Sequence, residues 1–397
     1  FGKGLATIEQ ISSSPTAVVG LVSMDMLGYI GGIIAIIGVI VLPITSGDTA
    51  LRSLRLILGD TFQVLPWRPE DDGVARMFCT IRTPDGKPSP SDPRHTLRRM
   101  LDKAADMGFE LNIGVKGEYF YFEDNKKPVP IDQGGYFDLT PLDNATDLRR
   151  DTVLTLEQMG IPVEYSHHES APSQQEIHLR YSDALSMADA IMTYKLVVKE
   201  IALKHGVYAS FMPKPIAGIN GSGMHVHQSL FAGDDNIFFD PDGECGLSKT
   251  AWRYIAGQLK YAPEFTLITN QYVNSYKRLV PGFEAPVYVG WSKSNRSSLV
   301  RVPRYKPGKD ASARFELRSP DPACNPYLVF AVLLAAGLKG IEEELEVPAP
   351  LDEAPKTSAY GVRSEADVEL LPSNLGSATE RFACSELMRE VLGGISV

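Results

Sequence analysis

The stretch NGSGMHVHQS, residues 220–229, places two imidazoles one residue apart, immediately after a glycine-punctuated turn. In an extended strand, residues i and i+2 face the same way. His225 and His227 therefore project side by side, while Met224 and Val226 turn into apolar packing. Two such imidazoles can bind a metal, or one can bind a metal and the other an anionic ligand; a buried, hydrogen-bonded histidine pair is the competing reading. Carboxylates supply further candidates. Glu118 opens EYFYFE on the strand face of Phe120 and Phe122, Glu169 follows the histidines of HHES, and Glu176 follows in QQEI. Glutamates on apolar strands are costly to bury unless they are paired or metal-bound, and hard divalent cations take oxygen ligands with an occasional imidazole. Arg314, Glu316 and Arg318 share one strand face in ARFELRS, where an ion-pair ladder is the bland alternative. Arg278, Arg296 and Arg301 join Arg314 and Arg318 in one C-terminal stretch. Guanidinium groups grip carboxylate and phosphate bidentately, so the cluster suits an anionic substrate and a phosphoryl group in transfer.

These residues need strands to aim them, and the sequence supplies strands alternating with helices. FQVLPW and ARMFCTI read as strands around the turn-rich PEDDG. SDPRHTLRRMLDKAADMG is a helix capped at Ser91/Asp92, with Pro93 in its first turn and Gly108 as its stop. FELNIGVKGEYFYF reads as a strand pair, or as one strand with a bulge at Gly117. Helices follow over 146–159, 183–205 and 250–261. NPYLVFAVLLAAGLKGIEEEL forms another, and ATERFACSELMREVLG a last one after a Pro/Glu/Ser-rich tail. IPVEYSHHE, QEIHLRY and segments up to residue 318 are strand-like. The class is α+β, its strands mostly antiparallel by connection length.

Composition narrows the partners. At 397 residues, 44% apolar and 22% charged, the chain can build two domains or one large unit. A net charge of −10 argues against a nucleic-acid surface. Cys79, Cys245, Cys324 and Cys384 are scattered without a CxxC pair, as in a reducing, cytoplasmic setting. The chain opens on Phe1 rather than methionine, which points to a truncated product. The uncharged run Met26–Ser46 is long enough for a membrane span, but its β-branched residues, its glycines and its lack of basic flanks equally suit buried strands.

HHESAPSQQEI, FMPKP, NGSGMHVHQS, KRLVPGFEAP, NRSSLVRVP, RFELRSPDP and NPYL, in this order and spacing, resemble type I glutamine synthetase from about Phe62 onwards. The resemblance implies a small N-terminal β-grasp domain (residues 1–85) followed by a catalytic domain (residues 86–397) with a curved antiparallel sheet. It also implies a soluble dodecamer of two hexameric rings, free of membrane, with active sites shared between subunits. The Ile-rich run then reads as β-grasp strands. The implied reaction joins ammonia to the γ-carboxylate of L-glutamate through a γ-glutamyl phosphate, using ATP and Mg²⁺ or Mn²⁺. Residue by residue, the resemblance makes Glu118, Glu169 and Glu176 ligands of one ion, and His225 and Glu316 ligands of a second. Asn220 and Gly221 would hold glutamate; Arg278, Arg296 and Arg318 would grip its carboxylate and the phosphoryl group. Arg301, Arg314, Glu164, Tyr181 and Ser229 fall to the nucleotide, His227 to ATP or the substrate, and Glu284 to the flap that helps to deprotonate ammonium.

Two departures stand out. Where the resemblance requires a glutamate two residues ahead of Glu118, the chain has Lys116. An ammonium cannot ligate a cation; it repels one or replaces its charge. The family's ammonium-binding aspartate loop has only SGDTALRS, with Asp48, as a weak counterpart, and an adenylylation tyrosine has no match around LPSNLGSATE. A γ-glutamylamide ligase for an alkylamine or polyamine is therefore an alternative, as is a catalytically silent homologue with a scaffold role.

Overall fold

The computed structural model describes residues 61–68, 73–293, 295, 297–303, 308, 310–351 and 368–393. The Ile-rich run, Asp48 and Arg296 lie outside them, as does most of the expected β-grasp domain. The chain divides into two compact units, Phe1–Cys79 and Thr80–Val397. In the first, β1 (Gln63–Val64) and β2 (Ala75–Arg76) form a short antiparallel pair. The strand expected over ARMFCTI is thus confined to its first two residues.

The second unit opens with α1 (Pro93–Asp106), in which Asp92 accepts a hydrogen bond from the Arg94 amide and Pro93 takes the first turn. Leu97, Met100 and Ala104 bury its apolar stripe. Next come β3 (Glu110–Phe122), α2 (Thr146–Gln158), β4 (Val163–His168), β5 (Gln174–Asp183) and α3 (Ala184–Lys204). After these the chain forms β6 (Tyr208–Ser210), β7 (Met224–Ala232), β8 (Asp235–Asn236), α4 (Lys249–Thr269) and α5 (Val273–Arg278). Then follow β9 (Tyr288–Ser292), β10 (Ser298–Arg301), β11 (Phe315–Leu317), α6 (Pro326–Glu342), α7 (Leu375–Cys384) and α8 (Glu386–Leu392).

One sheet runs β4-β5-β3-β7-β11-β10-β9, with β6 on β3 and β8 on β7. It is mixed rather than wholly antiparallel, because β9 and β10 pair parallel. β3 is a single strand, and its irregularity falls between Ile113 and Val115 rather than at Gly117. Gly117 has another purpose: a Cβ there would stand 2.7 Å from the Tyr194 ring, so its missing side chain lets α3 close on the sheet. α4 runs past its expected end at residue 261 and absorbs Pro263, which is buried with its neighbours against the sheet and α6. The expected last helix is broken at Ser385, whose hydroxyl caps α8.

Polar clasps fix the helices to the strands. Arg94 donates twice to Asp189, at 3.0 and 2.8 Å, and the Tyr327 hydroxyl donates to the same carboxylate, joining α1, α3 and α6. Behind the histidine strand, Gln228 and Gln258 exchange amide hydrogen bonds of 2.6 and 3.0 Å. Tyr254 donates to Gln228, and Gln258 donates to the Leu333 carbonyl. Both glutamines are buried, and a buried amide left without partners costs far more than its bond contributes net. Gln258→Leu leaves the buried Gln228 amide nitrogen without its acceptor and should lower unfolding free energy by about 1–3 kcal/mol, read as a lower denaturant midpoint at unchanged slope.

Candidate active site

Strand register assembles the site. Lys116 lies opposite His225 on one side and His178 on the other, and Glu118 lies opposite Glu176. Glu316 faces His227 across β7 and Arg301 across β10. Because side chains alternate, Lys116 and Glu118, Gln174, Glu176 and His178, His225 and His227, and Arg314, Glu316 and Arg318 fall on one face of the sheet.

Two adjoining chambers open on that face. A cavity of about 200 Å³ is lined by Glu118, Glu169, Glu176, Asn220, Gly221, His225, Arg278, Glu284 and Arg318, among others. A larger one, about 530 Å³, is lined by Glu164, Tyr181, His227, Ser229, Arg314 and Pro303, among others. Lys116 and Arg301 line both. The division matches the expected one between substrate-and-metal residues and nucleotide residues, and the larger volume lies in the range of pockets for cofactor-sized ligands. Glu316 departs from the pattern: it is wholly buried and lines neither chamber. Arg296 and Asp48 lie outside the described residues.

In the small chamber, Glu118, Glu169 and Glu176 bring carboxylate oxygens within 4.8 Å of one another. Glu118 accepts from the Gly223 amide at 2.8 Å and from Gln174 at 3.1 Å, and Gln174 also donates to the Gly221 carbonyl. Glu169 accepts from the Ser170 amide and hydroxyl. Burial, followed by the Glu176 charge, pushes Glu118 well above the ordinary carboxylate range; burial and the Glu118 charge do the same to Glu169. Burial also works to raise Glu176, but His178 and the nearby His225 and Lys116 hold it low. His178 Nε2 stands 2.6 Å from Glu176 Oε1, a close contact not aligned as a hydrogen bond. Three converging buried acids that cannot all stay charged by themselves are the donor set a hard divalent cation fits.

His225 bridges to the neighbouring acid, with Nε2 3.5 Å from Glu118 and Nδ1 3.3 Å from Glu316. Burial and then Arg318 depress it to about 4, so it is neutral at pH 7. Burial likewise depresses His227, which takes a hydrogen bond from Arg314 Nε at its Nδ1, 3.3 Å away. Around Glu316 stand Arg301 Nη1 at 2.8 Å, Arg318 Nη1 at 3.1 Å and Lys116 Nζ at 3.5 Å. Burial opposes its charge, yet His227, His225, Arg318 and Lys116 together hold its carboxyl well below the ordinary range. Arg278 is buried and donates to the Ser319 and Arg318 carbonyls, so it ties the exit of β11 as well as lining the small chamber. Gly221 and Gly223 allow this closeness: a Cβ at 221 would stand 2.3 Å from the Pro213 carbonyl, and one at 223 would stand 2.6 Å from Arg278 Nη2. At the mouth, Glu284 is exposed, while Lys214 Nζ sits 3.6 Å over the ring of the preceding Phe283.

Sequence reading had passed over Gln174, His178, Lys214 and Tyr136. The period of two from Glu176 would have found Gln174 and His178; Tyr136 reaches the small chamber through a loop and carries no such signal, and Lys214, within FMPKP, packs beside Gly221 without lining either chamber. A second acid cluster, Asp132, Asp143 and His168, is internally satisfied: Asp132 accepts from the Ser173 amide, Asp143 from Arg149 and His168 bonds Asp132. It holds the turn that carries Glu169.

Facing arrays of buried acids and cations, with room for a small carboxylate on one side and a nucleotide on the other, suit an ATP-dependent carbon–nitrogen ligase. A family model described as the glutamine synthetase catalytic domain matches residues 90–396, and the chain belongs to that family. It is 50% identical to a glutamine synthetase from Thermotoga maritima over 338 residues, covering 84% of this chain and 76% of that protein. It is 52% identical to one from Mycolicibacterium smegmatis over 339 residues, with the same coverage. Among solved structures it resembles one named "GmaS/ADP complex-Conformation 1", with a TM-score of 0.75 and 34% identity over 84% of this chain and 76% of that one. The chain is accordingly a ligase. No helix among the described residues is long and apolar enough to cross a membrane.

The raised carboxyls carry a sign that can be tested. In the metal-free protein Glu118 and Glu169 hold protons at neutral pH, and an ion must displace them. Mn²⁺ binding should therefore release protons, and its affinity should rise from about pH 6 to pH 8. Isothermal titration in buffers of different ionisation enthalpy reads the proton count; affinity independent of pH over this window would contradict the assignment.

Proposed function

We propose that the chain joins ammonia to the γ-carboxylate of L-glutamate, with ATP cleaved to ADP and phosphate. The observation that carries this reading is the wall shared by the two chambers. Lys116 and Arg301 face both, which is where a phosphoryl group must pass from nucleotide to carboxylate. A carboxylate is a poor acyl donor, so its oxygen first takes the γ-phosphoryl group, leaving ADP and a γ-glutamyl phosphate. Arg318, Arg301 and Lys116 offset the charge on the moving group. A divalent ion, Mg²⁺ or Mn²⁺, held by Glu118, Glu169 and Glu176 would add neutralising charge and orient the substrate. Asn220, the Gly221 backbone and Arg278 line the place for the amino acid; Arg296 is proposed to act with them. His227, Ser229, Arg314, Glu164 and Tyr181 are proposed to hold the nucleotide.

Ammonia then attacks the acyl carbon and phosphate leaves. The attacking nitrogen must lose a proton, and Glu284, exposed at the mouth, is proposed to accept it. Asp48 is proposed to assist from a neighbouring subunit in a dodecamer of two hexameric rings, working in the cytoplasm.

A second reading, a γ-glutamylamide ligase for an alkylamine or polyamine, is supported by the likeness to the GmaS structure and by the weak aspartate loop. The higher identity to glutamine synthetases favours ammonia. Phosphate release should be measured with ATP, Mg²⁺ and glutamate, comparing ammonium, methylamine, putrescine and no amine, with products identified by mass. We expect release and glutamine with ammonium; release confined to the larger amines would establish the second reading, and none with any amine would overturn both.

A further inference from the structure

We propose that the second cation of this site is built into the chain: the Lys116 ammonium stands in place of a second divalent ion, and each chain binds one. This rests on the reading of the two chambers given above and departs from the two-ion arrangement that the family resemblance implies. A second ion would need Glu316 and His225 as ligands, and neither is available to it while the Lys116 ammonium stands beside Glu316. Glu316 is wholly buried, lines neither chamber, and is already surrounded by Arg301, Arg318 and Lys116 at 2.8, 3.1 and 3.5 Å. One carboxylate facing three permanent cations leaves a local excess of positive charge, which repels a divalent ion at that distance. His225 directs both ring nitrogens at carboxylates, Glu118 and Glu316. Among the described residues, the other acids that line the chambers are Glu118, Glu169 and Glu176, which belong to the first-ion cluster, Glu284 at the mouth and Glu164 in the large chamber.

Lys116 also has what a substitute needs. It sits opposite both His225 and His178 on the central strands, is only partly buried, and lines both chambers. Its three donors on a flexible stem can meet a phosphate oxygen from either side. The ammonium thus supplies, without any metal, part of the positive charge that the phosphoryl group meets.

The test counts ions without measuring turnover. In the full-length protein without nucleotide, Mn²⁺ binding followed by isothermal titration and by the spin-resonance signal of free Mn²⁺ should give one ion per chain. Lys116→Glu, checked for fold by circular dichroism and for assembly by gel filtration, should give two. Lys116→Met should still bind one ion and should weaken ADP binding by roughly tenfold or more, the effect of removing a charged donor. This second variant decides the matter if the glutamate variant does not fold. Two ions in the unmodified protein, one ion in a folded Lys116→Glu, or unchanged ADP affinity in Lys116→Met would each overturn the proposal and leave the ligase reading standing. No bound Mn²⁺ at all would remove the metal assignment and this inference together.

Discussion

Charge taken out of water must be neutralised where it lies, and this constraint organises the catalytic sheet. Glu118, Glu169, Glu176 and Glu316 are all buried, as are Arg278, Arg318, His225 and His227. None would be tolerable alone in an apolar interior. Four strands, β3, β5, β7 and β11, bring most of them into mutual reach by register, with Glu169 added from the turn after β4 and Arg278 from the end of α5, so the strand pairing and the electrostatics specify each other. A one-residue slip in any of these strands would turn its charges into the helix layer. The helices behind the sheet answer that risk with polar clasps of their own, such as the Gln228–Gln258 exchange, which fix β7 from the opposite side.

The candidate site was largely legible in the sequence because its residues sit on alternating positions of strands and in compact motifs. Glu118, His225, His227, Arg314 and Arg318 could be placed on faces from spacing alone, and the groups into which the resemblance sorts them line separate chambers. Helix ends were legible for the same local reason. Asp92 with Pro93 and Asn325 with Pro326 are caps whose chemistry is complete within a few residues. The NPYL block that helped to identify the family is, physically, the start of α6.

What escaped depended on distant partners. Gly117 looked like a bulge, but its reason is Tyr194, on a helix packed across the sheet. The helix expected over 250–261 stops short of Pro263, yet tertiary burial carries α4 through it. The parallel pairing of β9 with β10 could not be read from connection length, because a short connection gives no sign of a crossover. Glu316 was expected to meet a metal; the crowd of cations around it, from β3, β10 and the end of β11, could not be read from its own spacing.

The shared wall constrains how such a protein can diversify. A residue that borders only one chamber can change with the molecule it meets, but Lys116 and Arg301 answer to two occupants at once. Selection for a different acceptor would penalise change there and favour it around the mouth, where Glu284 and Tyr136 border the small chamber alone. Novelty in substrate choice is thereby pushed to the rim, while a change at the centre of the sheet, such as Lys116 in place of the expected glutamate, has to suit both occupants at once.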